Sequence, residues 1–312
     1  MDLKLKNNES LRNKMENKQK VSNIIAKTLY WILFLSLIVY CISLLLPLIW
    51  LVLTSFKSTE EYVLDVFGLP KEFRWKNYLE VFEEFKLPYL KDGRRVLYGL
   101  VPMFFWSLVY TFSSNAFGLL LTVMCAYVLS SFDFRGKNFI FNVGIVVMTI
   151  PLVGTGLTSM ILKKNLGIHD NMLLFILTGP STAFSGFHFM ILYGAFKGVS
   201  RTYREAVYID GGGNYVAFFR IVLPMIMPTV TALFIMCIAG AWLDYNTFLI
   251  WLPSYPNIGV GIFSFESQAT KLGVSAPVVM ASFVVVIIPT IIIYILSQNV
   301  ILSKFTIGGL KG

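Results

Sequence analysis

The sequence predicts an all-α integral membrane protein of six transmembrane helices, and three observations carry that prediction. Of 312 residues, 56% are hydrophobic and only 14% charged, against about 25% charged in an average soluble domain. Six apolar stretches are long enough for a hydrocarbon core that needs about 20 helical residues. The basic residues that are not balanced by acids collect in alternate loops.

Taken in order, residues 1–27 form a basic tail rich in Lys, Asn and Glu without apolar periodicity, expected to be disordered or to lie near an anionic lipid surface. Residues 28–53 form transmembrane helix 1. Its apolar run exceeds the 7–15 residues of a signal-peptide core and no A-x-A site follows, so it reads as a retained anchor. Residues 54–102 form an extracytoplasmic loop, in which Trp75, Tyr78, Phe82 and Phe85 suit a small amphipathic helix anchored on the membrane face. Residues 103–302 hold a five-helix core with spans near 103–130, 139–162, 172–196, 225–252 and 277–302. Between the last two, residues 253–276 read as an ordered surface loop. Residues 303–312 form a C-terminal tail.

Six spans place the tail, Arg135 and Lys137, the group Lys197, Arg201, Arg204 and Arg220, and Lys304 with Lys311 on one side. The other side has nearly as many bases, but they lie mostly in the long 57–102 loop among a similar number of acids, and long loops cross membranes largely regardless of charge. Both termini are therefore expected in the cytoplasm. The formal charge of +9 is accounted for by this orientation, and no nucleic-acid partner is expected.

Several chemistries lack parts. Cys41, Cys125 and Cys237 lie in apolar stretches with no C-x-x-C pair, as small hydrophobes do. His169 and His188 have no acidic partner at ligand spacing, so neither a metal hydrolase nor a Ser-His-Asp set can be assembled. No catalytic residue, cofactor or metal is expected in this chain.

The most informative segment lies between the fourth and fifth spans: RTYREAVYIDGGGNYVAFFRIVLPMIMP, Arg201 to Pro228. It reads as two short helices broken by glycine. Thr202 and Glu205 fit a capping box, and Tyr203, Ala206 and Val207 share a face. Gly211, Gly212 and Gly213 end the first helix. Asn214 suits the cap of the second, whose Tyr215, Phe218, Phe219 and Val222 recur at i, i+3, i+4, i+7. Pro224 stops or kinks it before the fifth span. Helices this short need packing, either on the chain's own helix ends or on another protein.

Glu205-Ala206, Gly211 and Ile221-x-Leu223-Pro224 resemble the EAA signature of binding-protein-dependent ABC importer membrane subunits, with Val207 in place of the second alanine. PLIWLVLTSFK from Pro47, AYVLSSFDFRGK from Ala126, Leu166-Gly167, Gly240-Ala241-Trp242 and the ending GGLKG are similar to the carbohydrate branch, and within it to the maltose-type second membrane subunit. Residues 1–27 and 87–100 match less well. The resemblance implies a bacterial or archaeal plasma membrane protein whose 201–224 coupling-helix loop docks on an ATPase through Glu205, Ala206, Asp210, Gly211, Ile221, Leu223 and Pro224. Glu205 and Asp210 have two readings, an interface contact or a cap within the loop. It also implies a second permease subunit as heterodimer partner, two ATP-binding subunits that hold ATP and Mg, and an extracytoplasmic solute-binding protein, which the 253–276 loop would contact. Gly308, Gly309, Lys311 and Gly312 are implied as further ATPase contacts. The chain itself contains no G-x-x-x-x-G-K-[ST], so hydrolysis falls to a partner.

A path for the solute is less legible. Asp244 is the only acid well within a span. With Trp242, Tyr245 and Asn246 it suits a sugar's apolar face and hydroxyl rim. It equally suits bonds between helices or a place at the outer interface. Gly154-Thr155-Gly156 after Pro151, and Gly179-Pro180 with Gly186, interrupt the third and fourth spans as in helices that line transport sites, while glycine and proline are also ordinary in membrane helices and small residues such as Gly194 and Gly198 permit close packing. An ion-coupled secondary transporter would want more acids in the spans, and a non-sugar polar solute such as a glycerol phosphate fits the same permease role.

Overall fold

A computed structural model describes residues 2–91, 94–150, 156–178, 184 and 186–305. The chain divides into two compact units, residues 1–74 and 75–312. By length and composition, four helical stretches among the described residues can cross a membrane: Asn23–Ser55, Leu100–Ser131, Asn214–Ala241 and Ala276–Leu296.

In the first unit, α1 (Asp2–Ser55) is one helix of 54 residues, about 80 Å at 1.5 Å per residue. The tail expected to be disordered is thus continuous with the first span, because Lys, Glu, Asn and Leu carry no strong break and the first proline is Pro47. Its apolar side chains from Ile24 to Leu48 are exposed on every side of the helix, as lipid contact requires. Cys41 shares that exposure and is not a core residue. After α1, Ser58 caps α2 (Thr59–Leu64) by accepting from the Glu61 amide at 3.1 Å. The buried Lys57 donates its ammonium to the Asp65 and Val66 carbonyls at 2.7 and 3.2 Å.

The second unit opens with α3 (Lys76–Glu84), the small helix anticipated near Trp75. Its face assignment differs from expectation. Trp75, Leu79 and Phe82 are exposed, whereas Phe85 is fully buried with its ring 4.8 Å from Phe265. A hairpin follows, β1 (Lys86–Lys91) antiparallel to β2 (Arg94–Gly99), with Leu87 opposite Tyr98.

The core helices are α4 (Leu100–Ser131), α5 (Lys137–Thr149), α6 (Gly156–Asn165), α7 (Met172–Thr178), α8 (Phe187–Gly198), α9 (Thr202–Ile209), α10 (Asn214–Val216), the π-helix π1 (Ala217–Val222), α11 (Leu223–Ala241), α12 (Tyr245–Trp251), α13 (Ile258–Leu272) and α14 (Ala276–Phe305). The expected third and fourth spans are each represented by two shorter helices. Ile150 turns extended at the end of α5, as a residue before proline must, and Gly186 adopts φ +91° before α8. Pro151, Gly154, Thr155, Gly179 and Pro180 lie outside the described residues. At Gly144 of α5 an added Cβ would fall 2.5 Å from the Phe184 carbonyl oxygen, so a small residue is what permits this approach.

Three apolar clusters hold the unit together. One surrounds Phe85, Met103, Trp242, Ile258 and Phe265, one joins Tyr110, Phe175, Phe248 and Leu252, and one joins Tyr127, Phe189, Phe196, Val222 and Leu233. The segment expected to be a surface loop is largely α13. Ile258, Ile262, Phe265 and Ala269 recur at i, i+4, i+7, i+11 and are buried. The glycines that suggested a loop are packing positions, since a Cβ at Gly261 would meet Met103 Sδ at 2.6 Å.

Candidate functional site: the loop between α8 and α11

The loop begins where α8 ends at Gly198. Arg201 precedes α9, and the Ser200 hydroxyl pairs with Thr202 Oγ1 at 2.8 Å. The capping box between Thr202 and Glu205 is not formed, because Thr202 is already helical and its amide meets Ser200 Oγ at 3.3 Å. At the far end, Gly211 takes φ +80°, a left-handed conformation that costs any L side chain. Gly212 is needed for a second reason, since a Cβ there would lie 2.5 Å from Val207 Cγ1. Asn214 does not cap α10. Its Oδ1 accepts from the Tyr208 hydroxyl at 2.5 Å, closing the glycine turn from both sides.

Pro224 does not end the second piece. Helix runs from Asn214 into α11 without interruption, and Pro224 sits in its first turn. A proline removes one amide donor and crowds the carbonyl four residues back. The backbone before Pro224 widens into π1, where the Leu223 amide bonds the Phe218 carbonyl five residues back. That widening also splits the expected aromatic face. Phe218 and Val222 turn inward, with Phe218 4.5 Å from the Tyr127 ring, while Tyr215 and Phe219 remain exposed.

The loop is tied to α4 by contacts the sequence did not single out. Arg204 donates to the Ser131 carbonyl at 2.7 Å and lies 5.9 Å from the Phe132 ring. Asp133 accepts from Lys137 at 3.0 Å and from Arg201 at 3.4 Å. The Lys137 ammonium beside it, with Arg201 further off, holds the Asp133 carboxyl below the ordinary carboxylate range. Tyr127 gathers Phe132, Phe196 and Phe218 around its ring.

Of the anticipated loop residues, Glu205, Ala206, Asp210, Gly211 and Pro224 are exposed, while Ile221 and Leu223 are half-buried. Neither Glu205 nor Asp210 forms an ion pair among the described residues. The two remain uncommitted carboxylates beside an apolar surface of Tyr203, Ile209, Tyr215 and Phe219, each half or more exposed. Gly308, Gly309, Lys311 and Gly312 lie outside the described residues.

Of the residues anticipated for the path, Trp242, Asp244 and Tyr245 have partners of their own. Trp242 is buried and its indole N–H donates to the Val286 carbonyl at 3.2 Å. Asp244 caps α12, accepting from the Thr247 amide at 3.1 Å, and its carbonyl accepts from the Asn257 amide group at 3.1 Å. Tyr245 stacks on Phe263 at 4.8 Å and 5°, and Asn246 is exposed. His188 lies 3.6 Å from Cys237, and no cluster of metal-binding side chains occurs among the described residues.

Comparisons with known proteins agree with this architecture. The model of a family described as "Binding-protein-dependent transport system inner membrane component" matches residues 118–306. The diacetylchitobiose uptake system permease protein NgcG of Streptomyces coelicolor is 28% identical over 87% of this chain and 86% of its own length. The arabinooligosaccharides transport system permease protein AraQ of Halalkalibacterium halodurans is 25% identical over 95% of this chain and its entire length. A chain in the crystal structure of a bacterial ABC transporter that imports the acidic polysaccharide alginate shares the fold with a TM-score of 0.69 at 20% identity, covering 85% of this chain and 93% of that one.

Proposed function

The chain belongs to the family of binding-protein-dependent transport system inner membrane components, and from that premise we propose that it is the permease subunit of an ATP-driven importer for a sugar or oligosaccharide. The observation that carries the reading is the 201–224 loop, an exposed aromatic surface with two uncommitted carboxylates, locked to the ends of α4 and α11. The carbohydrate class is supported by the relatives, which are permeases for diacetylchitobiose and arabinooligosaccharides.

The proposed mechanism is mechanical. An ATP-binding subunit seats on Tyr203, Ile209, Tyr215 and Phe219, with Glu205 and Asp210 at the rim. Because π1 runs into α11 without a linker and Arg204 holds α9 to Ser131, displacement of the loop carries α4 and α11 with it. Gly211 sets the angle between the two arms. Hydrolysis belongs to two such subunits, and a second permease completes the pathway.

In the proposed topology six spans cross the membrane, the third and fourth as broken helices, with both termini cytoplasmic. The solute passes beside α12, where Asn246 is exposed and Tyr245 stacks on Phe263. An extracytoplasmic binding protein delivers it. Gly308, Gly309, Lys311 and Gly312 extend the ATPase contact.

The test is co-purification with ATP-binding subunits, repeated with Glu205→Ala and Gly211→Val. Loss of assembly or of solute-stimulated ATP hydrolysis is expected in both variants. Wild-type assembly and hydrolysis in both would sink the coupling assignment.

A further inference from the structure

Behind the Arg204–Ser131 contact lies a cleft. It is lined by Ser130 and Ser131 from the end of α4, Phe196 and Lys197 from the end of α8, Val199 and Arg201 from the link to α9, Arg204 of α9, and Val222 of π1. Its charged lining is three cations and no carboxylate. Of the three cations, Arg201 also reaches Asp133, which pairs with Lys137 as well. Lys197 forms no ion pair among the described residues and its ammonium rests 5.1 Å from the Tyr193 ring centre.

The neutral groups point the same way. Arg204 spends one guanidinium nitrogen on the Ser131 carbonyl, and guanidinium has five N–H donors in a planar fork. Ser131 Oγ has only the 3.4 Å contact to Ser130 Oγ. The side chains of Lys197, Arg201 and Arg204 line a recess walled by Phe196 and Val222, which are nearly fully buried. Like charges lining one cleft repel one another, and an anion between them relieves that repulsion. A tetrahedral oxyanion with several acceptor oxygens meets this demand better than one carboxylate, since two arginines and a lysine engage different oxygens at once.

We propose that this cleft binds a phosphate-class anion, held by Lys197, Arg201 and Arg204 with the Ser131 hydroxyl as a neutral donor. The site lies where α4 and α8 end, which in the proposed topology is the depth of lipid headgroups. A phosphodiester headgroup and a free phosphate carry the same chemistry. With the anion bound, Arg201 and Arg204 lose mutual repulsion and α9 is held more firmly to α4, so occupancy would stiffen the loop whether or not a partner is seated on it.

The test uses the full-length chain, delipidated in neutral detergent and examined by native mass spectrometry with phosphatidylglycerol, phosphatidylcholine or inorganic phosphate added. Phosphatidylglycerol is expected to bind more tightly than phosphatidylcholine. Lys197→Gln is expected to weaken anion binding about fivefold, the effect of one basic group near a charged surface, and Lys197→Gln with Arg201→Gln to weaken it further. Lys164→Gln, at the end of α6, is expected to change nothing. Should the double variant fold poorly by circular dichroism, Lys197→Gln and its rescue by Lys197→Arg decide the matter alone. Loss confined to the lipid identifies a headgroup site, and loss confined to inorganic phosphate identifies a soluble ligand. Equal binding by wild type and Lys197→Gln for both probes, or an equal loss in Lys164→Gln, overturns the proposal.

Discussion

Arg204 of α9 donates to the backbone carbonyl of Ser131, 73 positions earlier in the chain, at 2.7 Å. Ser131 is the last residue of α4, where carbonyls have no partner within their own helix. The bond therefore satisfies an orphan acceptor and fastens a short helix at once. Charge-assisted hydrogen bonds contribute about 1.5–3 kcal/mol, and partial solvent exposure of Arg204 puts this one at the lower end. Arg204→Gln is expected to lower the thermal midpoint and to increase amide hydrogen exchange across residues 202–209, with Arg204→Lys in between. Exchange unchanged in that stretch would show that the aromatic cluster around Tyr127 suffices.

Gly211 and Gly212 are expected to fail for different reasons. Gly211→Ala puts a Cβ into open space but at φ +80°, a strain of about 1 kcal/mol, which Gly211→Asn should largely avoid. Gly212→Ala has an ordinary φ but brings a Cβ within 3.0 Å of the Val207 carbonyl oxygen, and asparagine should not relieve it. Thermal midpoints of the four variants distinguish strain from collision.

The acid response of the loop should depend on Asp133. Its folded-state pKa lies below the ordinary 3.8, so its stabilising effect is complete above that value and is lost as pH falls through the lowered one. Asp133→Asn should therefore be slightly less stable than wild type at neutral pH, with the two curves converging in strong acid. The carboxylate is fully exposed, so the difference is small and should shrink further in high salt. Curves that stay parallel throughout the acid range would assign the effect to another group.

On the other side of the second unit, Asp170 clasps Ser254, accepting from its amide at 2.7 Å and its hydroxyl at 2.6 Å, while the Asp170 amide donates to the Trp251 carbonyl at 2.8 Å. Asp170 has φ +58°, which aspartate tolerates better than most residues. Asp170→Ala removes both acceptors and keeps the strained backbone, an expected loss of about 2 kcal/mol. Ser254→Ala removes one bond and should lose about half as much. Limited proteolysis near Pro253 reads the difference.

Trp242 separates packing from transport. Its buried indole bond to Val286 predicts that Trp242→Phe lowers stability by about 1 kcal/mol and leaves the apparent KM of uptake unchanged. A shift in KM without a stability loss would return Trp242 to the solute path.

The membrane class, the first, second and last long apolar helices and the glycine turn of the 201–224 segment are legible in the chain because lipid imposes length and apolarity residue by residue, and because glycine and proline act on their own backbone. Gly211 is the plainest example, since its left-handed turn needs no neighbour to explain it. The tertiary structure decided what depends on partners distant in sequence. It placed Phe85 against Phe265, turned the 253–276 stretch into a packed helix, merged the second loop helix with α11 through a π-turn, and brought Arg204 to Ser131. Periodicity shows that a face needs burial, whereas the surface that buries it is set by the relative placement of helices, to which hydropathy is blind.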